Sequence, residues 1–472
     1  MRPLLQCLPI SWRGVWVLAV VLLLTGCATF SRDGGMDTVS AMVKDRTGQP
    51  VQLAAAGKDD EIASRVDALL REPLTPDSAI QIALLNNKGL QASFAELGIA
   101  EADLVQAGRI RNPGFSFSRM REGHDIEIER SIMFDLVGLL TIPMRSGIEN
   151  RRFEQAKLQA AAQAVRLAAD TRKAYYLAVA AQQTAQYMEQ VGTAAEASAE
   201  LGRRMVKAGN WSKLDQAREQ AFYAESVAQI ARARHNATAA REQLTRLMGL
   251  WGSNTNFRLP DRLPDLPKVP NDVAAIETVA MQQRLDVQLA KRDAEMTASA
   301  LGLSKATGFI NVLHAGYVNK SETDSPRANG YEIELELPLF DWGRARTAKA
   351  EAIYMQSVHR TADVAVRARS EVREAYSAYR TAFDLARHYR DEVVPLRKKI
   401  SDEMLLRYNG MLIGVFELLA DARDQINSVN AAIEAQRDYW IAATDLQMAL
   451  SGTGGASTQM RGRAPAEAAQ GH

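Results

Sequence analysis

Two hydrophobic periodicities divide this chain. In Tyr331-Glu332-Ile333-Glu334-Leu335-Glu336-Leu337 apolar and acidic residues alternate without a break, and Ile126-Glu127-Ile128-Glu129 does the same. Phe115 and Phe117 alternate with Ser116 and Ser118, whereas residues 309–318 are more uniformly apolar. A period of two gives a strand one greasy and one wet face, so these segments predict two strand pairs. Gly123-His124-Asp125 reads as a tight hairpin and residues 320–330 as a longer polar loop. An antiparallel sheet over a soluble core produces the same alternation, so the pattern alone does not choose between that and a membrane barrel.

Much of the remainder is helical in period. No proline lies between Pro143 and Pro260, and twelve of the thirty residues 156–185 are alanine. Val165, Tyr176, Val179 and Tyr187 recur there near helical spacing; small residues admit close helix approach, and larger ones define a seam. Taken as one helix, residues 145–208 would span roughly 95 Å at 1.5 Å per residue, far beyond an ordinary globular helix. Pro395, in Val393-Val394-Pro395-Leu396, predicts a kink in another long helix.

The pattern occurs twice. Ala83-Leu84-Leu85-Asn86-Asn87-Lys88-Gly89-Leu90-Gln91 lines up with Ala280-Met281-Gln282-Gln283-Arg284-Leu285-Asp286-Val287-Gln288, 197 residues later. Each repeat opens after a Pro-containing segment, reaches a strand pair, then a long helix, a Gly-containing turn and a further helix. The turns are Lys207-Ala208-Gly209-Asn210-Trp211 and Tyr408-Asn409-Gly410-Met411-Leu412, and Pro260, Pro264, Pro267 and Pro270 make a stiff linker between the repeats. The resulting division is 1–26 export signal, 27–72 N-terminal segment, 73–268 first repeat with linker, 269–451 second repeat, and 452–472 a flexible tail.

Composition narrows the classes. Lys plus Arg is 57 and Asp plus Glu is 56, a net charge of +1 that argues for neither a nucleic-acid nor an acidic partner. Arg2 and Arg13 precede an apolar run over 15–24, too short for the roughly 20 residues that cross a bilayer but right for an export signal. Leu24-Thr25-Gly26-Cys27 resembles the lipobox, which implies that Cys27 becomes the acylated first residue of the mature chain; an ordinary secretory signal with a chance cysteine is the alternative. Ala28, in place of Asp, points to the outer membrane. Cys7 is the only other cysteine, so the mature chain forms no internal disulfide.

The stretch Leu337-Pro338-Leu339-Phe340-Asp341-Trp342-Gly343-Arg344 closely resembles the strand-to-helix motif of the TolC-type outer-membrane efflux family. Arg111-Asn112-Pro113-Gly114, the segment from Gly209 to Asp215, and Arg407-Tyr408-Asn409-Gly410 extend the resemblance, which covers about residues 73–452. It implies a mainly α fold with a small β part. Long antiparallel helical hairpins form a periplasmic α-barrel, and four strands per protomer enter a trimeric twelve-stranded transmembrane β-barrel. Four strands cannot close on themselves in lipid without unsatisfied edges, whereas three sets can. The implied function is the passive outer-membrane channel of a tripartite efflux system in a Gram-negative cell. Its implied partners are a periplasmic adaptor, an inner-membrane pump of RND type and the outer-membrane lipid. The alternative is a lipid-anchored periplasmic coiled-coil scaffold that never spans the membrane. Two departures stand out: the first repeat reads Phe134-Asp135-Leu136 and on to Pro143 where the compact motif would stand, predicting a longer junction, and Gly410 falls one place early in the second turn.

Three sets of site residues follow. With Ile333, Leu335 and Leu337 toward lipid, Glu332, Glu334 and Glu336 face the lumen with Glu127 and Glu129, which would favour cations; a wet face on a soluble sheet is the alternative. By resemblance, Gly209, Asn210, Trp211, Asn409, Gly410, Met411, Leu412 and Ile413 lie at the periplasmic tip and dock the adaptor, against a plain helix cap with its apolar residues tucked inward. Asp215, Tyr408, Glu417 and Asp421 are the gate set, against ordinary solvated helix charges. No cofactor is implied. The histidines at 124, 235, 314, 359, 388 and 472 lack metal-ligand spacing, no His-Glu-x-x-His, Walker loop or nucleophile elbow occurs, and Gly452-Thr453-Gly454-Gly455 is too weak to read as phosphate binding. Met120, Met133 and Met411 suggest packing before copper handling. Similarity to channels of metal-resistance systems and the acidic lumen favour cationic cargo.

Overall fold

The computed structural model describes residues 29–53, 59–272, 274–309, 312–337 and 339–452. Cys27, the export signal and nearly all of the 452–472 tail lie outside them. Helices α1 (Met36–Thr47), α2 (Asp59–Leu70), α3 (Pro76–Asn86) and α4 (Lys88–Ala107) precede strands β1 (Gly114–Glu122) and β2 (Asp125–Asp135). Helices α5 (Leu136–Lys207) and α6 (Lys213–Met248) form the first hairpin. Helices α7 (Ile276–Gln283) and α8 (Leu285–Ala306), strands β3 (Leu313–Glu322) and β4 (Ala328–Leu335), and helices α9 (Arg344–His388), α10 (Val394–Asn409) and α11 (Val415–Ser451) repeat the series. The chain forms two compact units. One gathers Ala95–Lys157 and Ala290–Thr361 with the described part of Met1–Gly35; the other comprises Met36–Phe94, Leu158–Leu289 and the described part of Ala362–His472.

In the first unit the four strands form one antiparallel sheet in the order β1-β2-β3-β4. Both pairs predicted from alternation are present, although β3 starts later than the apolar run suggests and β4 ends at Leu335, short of Glu336 and Leu337. The junction expectation is reversed. β2 passes directly into α5, because Asp135 caps the helix: its Oδ1 accepts from the Gly138 N–H at 2.7 Å. Pro143 lies inside α5. The long junction is the second one, from Glu336 to Gly343, where Gly343 at φ 71° leaves only 2.7 Å between a would-be Cβ and the Gly308 carbonyl.

The second unit has the alanine seam that the sequence predicts. Ala160, Ala161, Ala164, Ala168, Ala174 and Ala178 are buried along α5, with Val165, Tyr176 and Val179. A core cluster joins Leu74, Tyr175, Tyr176, Leu244, Met248 and Leu263. Tyr175 donates to the Leu74 carbonyl at 3.0 Å, and burial pushes its phenol up to about 12. The Pro-rich linker docks on helices: Gln436 and Trp440 both donate to the Pro264 carbonyl, at 2.7 and 3.1 Å. At the linker's end Tyr376 and Arg380 hydrogen-bond Asp272 and hold its carboxylate below the ordinary range. Pro395 sits at the start of α10, directly after a π-helical turn over Tyr389–Val393, since the missing N–H breaks the regular ladder there.

The duplication is visible in bonding. Asn86 and Asn87 donate to the carbonyls of Leu247, Met248 and Gly249 at the end of α6. In the second repeat Arg284 donates to the Ala449 carbonyl, and the Leu285 N–H to that of Gly452, at the end of α11. Arg284 is buried. Burial alone would lower its pKa, but ion pairs with Asp286 at 2.6 Å and Glu371 at 2.7 Å outweigh that and leave it raised.

Candidate functional site

Side chains directly opposite in an antiparallel pair share a face, so the register sorts the sheet. One face carries Phe115, Phe117, Ile126, Ile128, Ile132, Phe134, Leu313, Tyr317, Tyr331, Ile333 and Leu335. Ile126, Ile128 and Leu313 are half-buried, but the other eight are exposed, Tyr331 at 86%. The other face carries Glu122, Asp125, Glu127, Glu129, Asp135, Glu322, Glu332 and Glu334, which are all eight carboxylates of the four strands. A soluble sheet buries its greasy face against a core; here it is the greasy face that lies open.

The predicted lumen carboxylates do share one side, with refinements. Glu332 and Glu334 occupy rows near the helix-connected ends of the strands, whereas Glu127 and Glu129 lie near the hairpin tips. Glu336 falls outside β4, with its N–H on the Val312 carbonyl. Sequence reading missed two partners on this face: Lys320 meets Glu127 at 2.6 Å, and His314 meets Glu334 at 2.9 Å. Register between strands, not visible in any one of them, brings these together: β2 with β3 for Glu127 and Lys320, and β3 with β4 for His314 and Glu334. Below the sheet, Leu337, Leu339, Phe340 and Trp342 are exposed, Phe340 completely.

The two hairpin turns have one geometry. In the first, N–H groups of Ala208, Gly209 and Asn210 bond the carbonyls of Arg204, Val206 and Met205; in the second, those of Gly410, Met411 and Leu412 bond Leu406, Tyr408 and Arg407. Each partner in the second turn lies 202 positions after its counterpart in the first. The left-handed residues are Gly209 at φ 77° and Met411 at φ 58°. Gly410, the apparent match in sequence, has φ −79°. Met411 and Leu412 are exposed at 94% and 77%, and Ile413 is half-buried. Trp211 instead folds onto Phe416, ring centroids 5.6 Å apart, and against Gly202.

The gate set divides. Asp215 and Glu417 cap α6 and α11, taking the N–H groups of Ser212 at 3.2 Å and Gly414 at 2.5 Å. Tyr408 is half-buried, and among the described residues no hydrogen bond joins it to Asp215. Asp421 does not line an open surface. It is 7% exposed and accepts from the Ser401 hydroxyl within its own hairpin. Asp421 lies four residues after Glu417, on the same side of α11, but there the helix packs against α10 and Asp421 is covered while Glu417 stays exposed. Glu219, 1% exposed, does the same with Ser198 at 2.8 Å in the first hairpin.

Among the described residues no group of three or more His, Cys, Asp or Glu is placed to hold a metal ion. No helix there is long and apolar enough to cross a membrane. No protein-family model matches the sequence. Over 298 residues the chain is 22% identical to the cobalt-zinc-cadmium resistance protein CzcC of Cupriavidus metallidurans, spanning 61% of this chain and 69% of that protein. Its structure is similar to the CmeC outer membrane channel of Campylobacter jejuni, with a TM-score of 0.70, 16% identity, and 80% and 86% of the two chains covered. It is similar also to CusC, with a TM-score of 0.67, 17% identity, and 80% and 92% covered.

Proposed function

From the TolC-type outer-membrane channel fold of this chain, we propose that it is the outer-membrane duct of a tripartite efflux system. One observation carries the reading: an open apolar face and a carboxylate face on a four-stranded sheet whose β1 and β4 edges are unpaired among the described residues. In lipid such edges must be closed, and three protomers close them into a ring with the apolar face outward. The protein then performs no bond chemistry; it supplies an aqueous path, and energy comes from a pump in the inner membrane.

Acylation of Cys27 would anchor the N-terminus beside the barrel. Met411 and Leu412, exposed at a hairpin turn, would meet a periplasmic adaptor, since exposed apolar side chains at such a tip mark a partner surface. The pump would be of RND type. Asp215, Tyr408 and Glu417 stay at the turns as residues for closure, whereas Asp421 does not. The acidic sheet face and the relative named for cobalt, zinc and cadmium resistance support cationic cargo. Insertion of the purified full chain into planar bilayers tests the central claim. Discrete trimeric pores are expected; a water-soluble monomer that conducts nothing, released intact when its acyl chain is removed, would make it a periplasmic scaffold.

A further inference from the structure

The strands contain three arginines, Arg119, Arg121 and Arg130, and all three lie on the apolar face, opposite every strand carboxylate. Arg119 and Arg121 are two apart on β1, while Arg130 is diagonal to Arg119, because Arg119 faces Ile128 in the register. Such same-face neighbours stand about 7 Å apart. All three are exposed. Arg130 donates to Asn319 at 3.1 Å and Arg121 to its own hairpin carbonyl at Gly123; neither partner carries charge.

Among the described strand residues the cluster therefore has no counter-charge on its face. β4 would not supply one across a closed ring either, since Asn329, Tyr331, Ile333 and Leu335 are its residues on that side. Position matters as much as sign. Following the register from Leu335, the rows of Arg130, Arg119 and Arg121 come six, eight and ten residues along the strands. A tilted strand crosses a bilayer in about 9–11 residues, so these rows fall in its outer half, toward the hairpin tips. Arginine on a lipid-facing strand is costly at mid-bilayer and tolerated near the interface, where its guanidinium reaches outward to anionic headgroups.

We propose that Arg119, Arg121 and Arg130 bind the phosphate groups of the glycolipid of the outer leaflet, locking the barrel to that leaflet. This rests on the channel reading, which sets the apolar face outward. The guanidinium fork matches phosphate bidentately, and three forks at this spacing suit a headgroup bearing more than one phosphate. Mixed polar neighbours on the same rows, Asn319, Asn329 and Ser321, suit the headgroup's sugar hydroxyls.

The test uses the full-length protein in phosphatidylcholine vesicles with bisphosphorylated lipid A, with phosphatidylglycerol, or with inorganic phosphate. Lipid A is expected to raise the temperature at which the trimer dissociates and to bind about tenfold or more tightly than to the R119Q/R121Q/R130Q variant. Phosphatidylglycerol and free phosphate should give much smaller shifts. Equal shifts from phosphatidylglycerol, or an unchanged lipid A effect in the variant, would overturn the proposal. Pore conductance in phosphatidylcholine alone separates the two readings. Pores without a lipid A response defeat only this inference; no pores in any lipid defeats the channel and this inference together. An R119K/R121K/R130K variant that keeps conductance and part of the lipid A shift guards against misfolding.

Discussion

A methionine in the left-handed region is an unusual residue on which to end a helix. For a side chain with a Cβ, that conformation costs about 1 kcal/mol or more, and glycine avoids it. Gly209 occupies the corresponding place in the first turn, with nothing within 4 Å of a would-be Cβ. Met411 therefore retains a strained backbone while presenting an almost fully exposed side chain, the combination expected where a contact outweighs local stability. Met411→Gly should raise hydrogen-exchange protection of the last turn of α10 by about 1 kcal/mol and weaken capture of the adaptor. Gly209→Ala should lower protection of the last turn of α5 by a similar amount. Unchanged adaptor capture with Met411→Gly would leave the residue without a docking role.

At the scale of elements, each helical hairpin carries a buried carboxylate held by a serine of the preceding helix: Glu219 with Ser198, Asp421 with Ser401. Removing the hydroxyl leaves a buried acceptor short of a donor, which costs about 1–3 kcal/mol. Ser198→Ala and Ser401→Ala should each lower the helical thermal midpoint, and the double variant should show nearly additive losses, because the pairs lie in separate hairpins. These pairs were not legible in the sequence. Nothing in the spacing of Ser401 and Asp421 says that they meet, since hairpin register decides it. What was legible had a strong local cause. The alternating segments gave the strands, the alanine-rich, proline-free tract gave α5, and Pro395 gave the break before α10. The turn register was half legible: the misplaced Gly410 signalled a departure, but only backbone angles show that Met411 takes the glycine's place. The first strand-to-helix junction was misjudged because residues 134–143 lack the compact motif, whereas Asp135 caps α5 directly at the end of β2.

For the whole molecule the decisive property is charge sorted by side. Eight strand carboxylates and one lysine share a face in each protomer, and a trimer would enclose three such sets. In such a ring a low-dielectric wall would focus that field into the lumen and concentrate cations there. Lys320 is the sole opposing strand charge, directly across from Glu129 and bridged to Glu127. Lys320→Gln should therefore raise the cation-over-anion permeability ratio measured from reversal potentials, and Glu127→Gln should lower it. Both differences should widen as salt falls from about 1 M to 0.1 M, because the screening length grows from about 3 to 10 Å. A direct steric effect of the substitutions would instead change conductance equally at both salt concentrations. Anion preference in the unaltered channel would mean that the carboxylate face is not the one that lines the path.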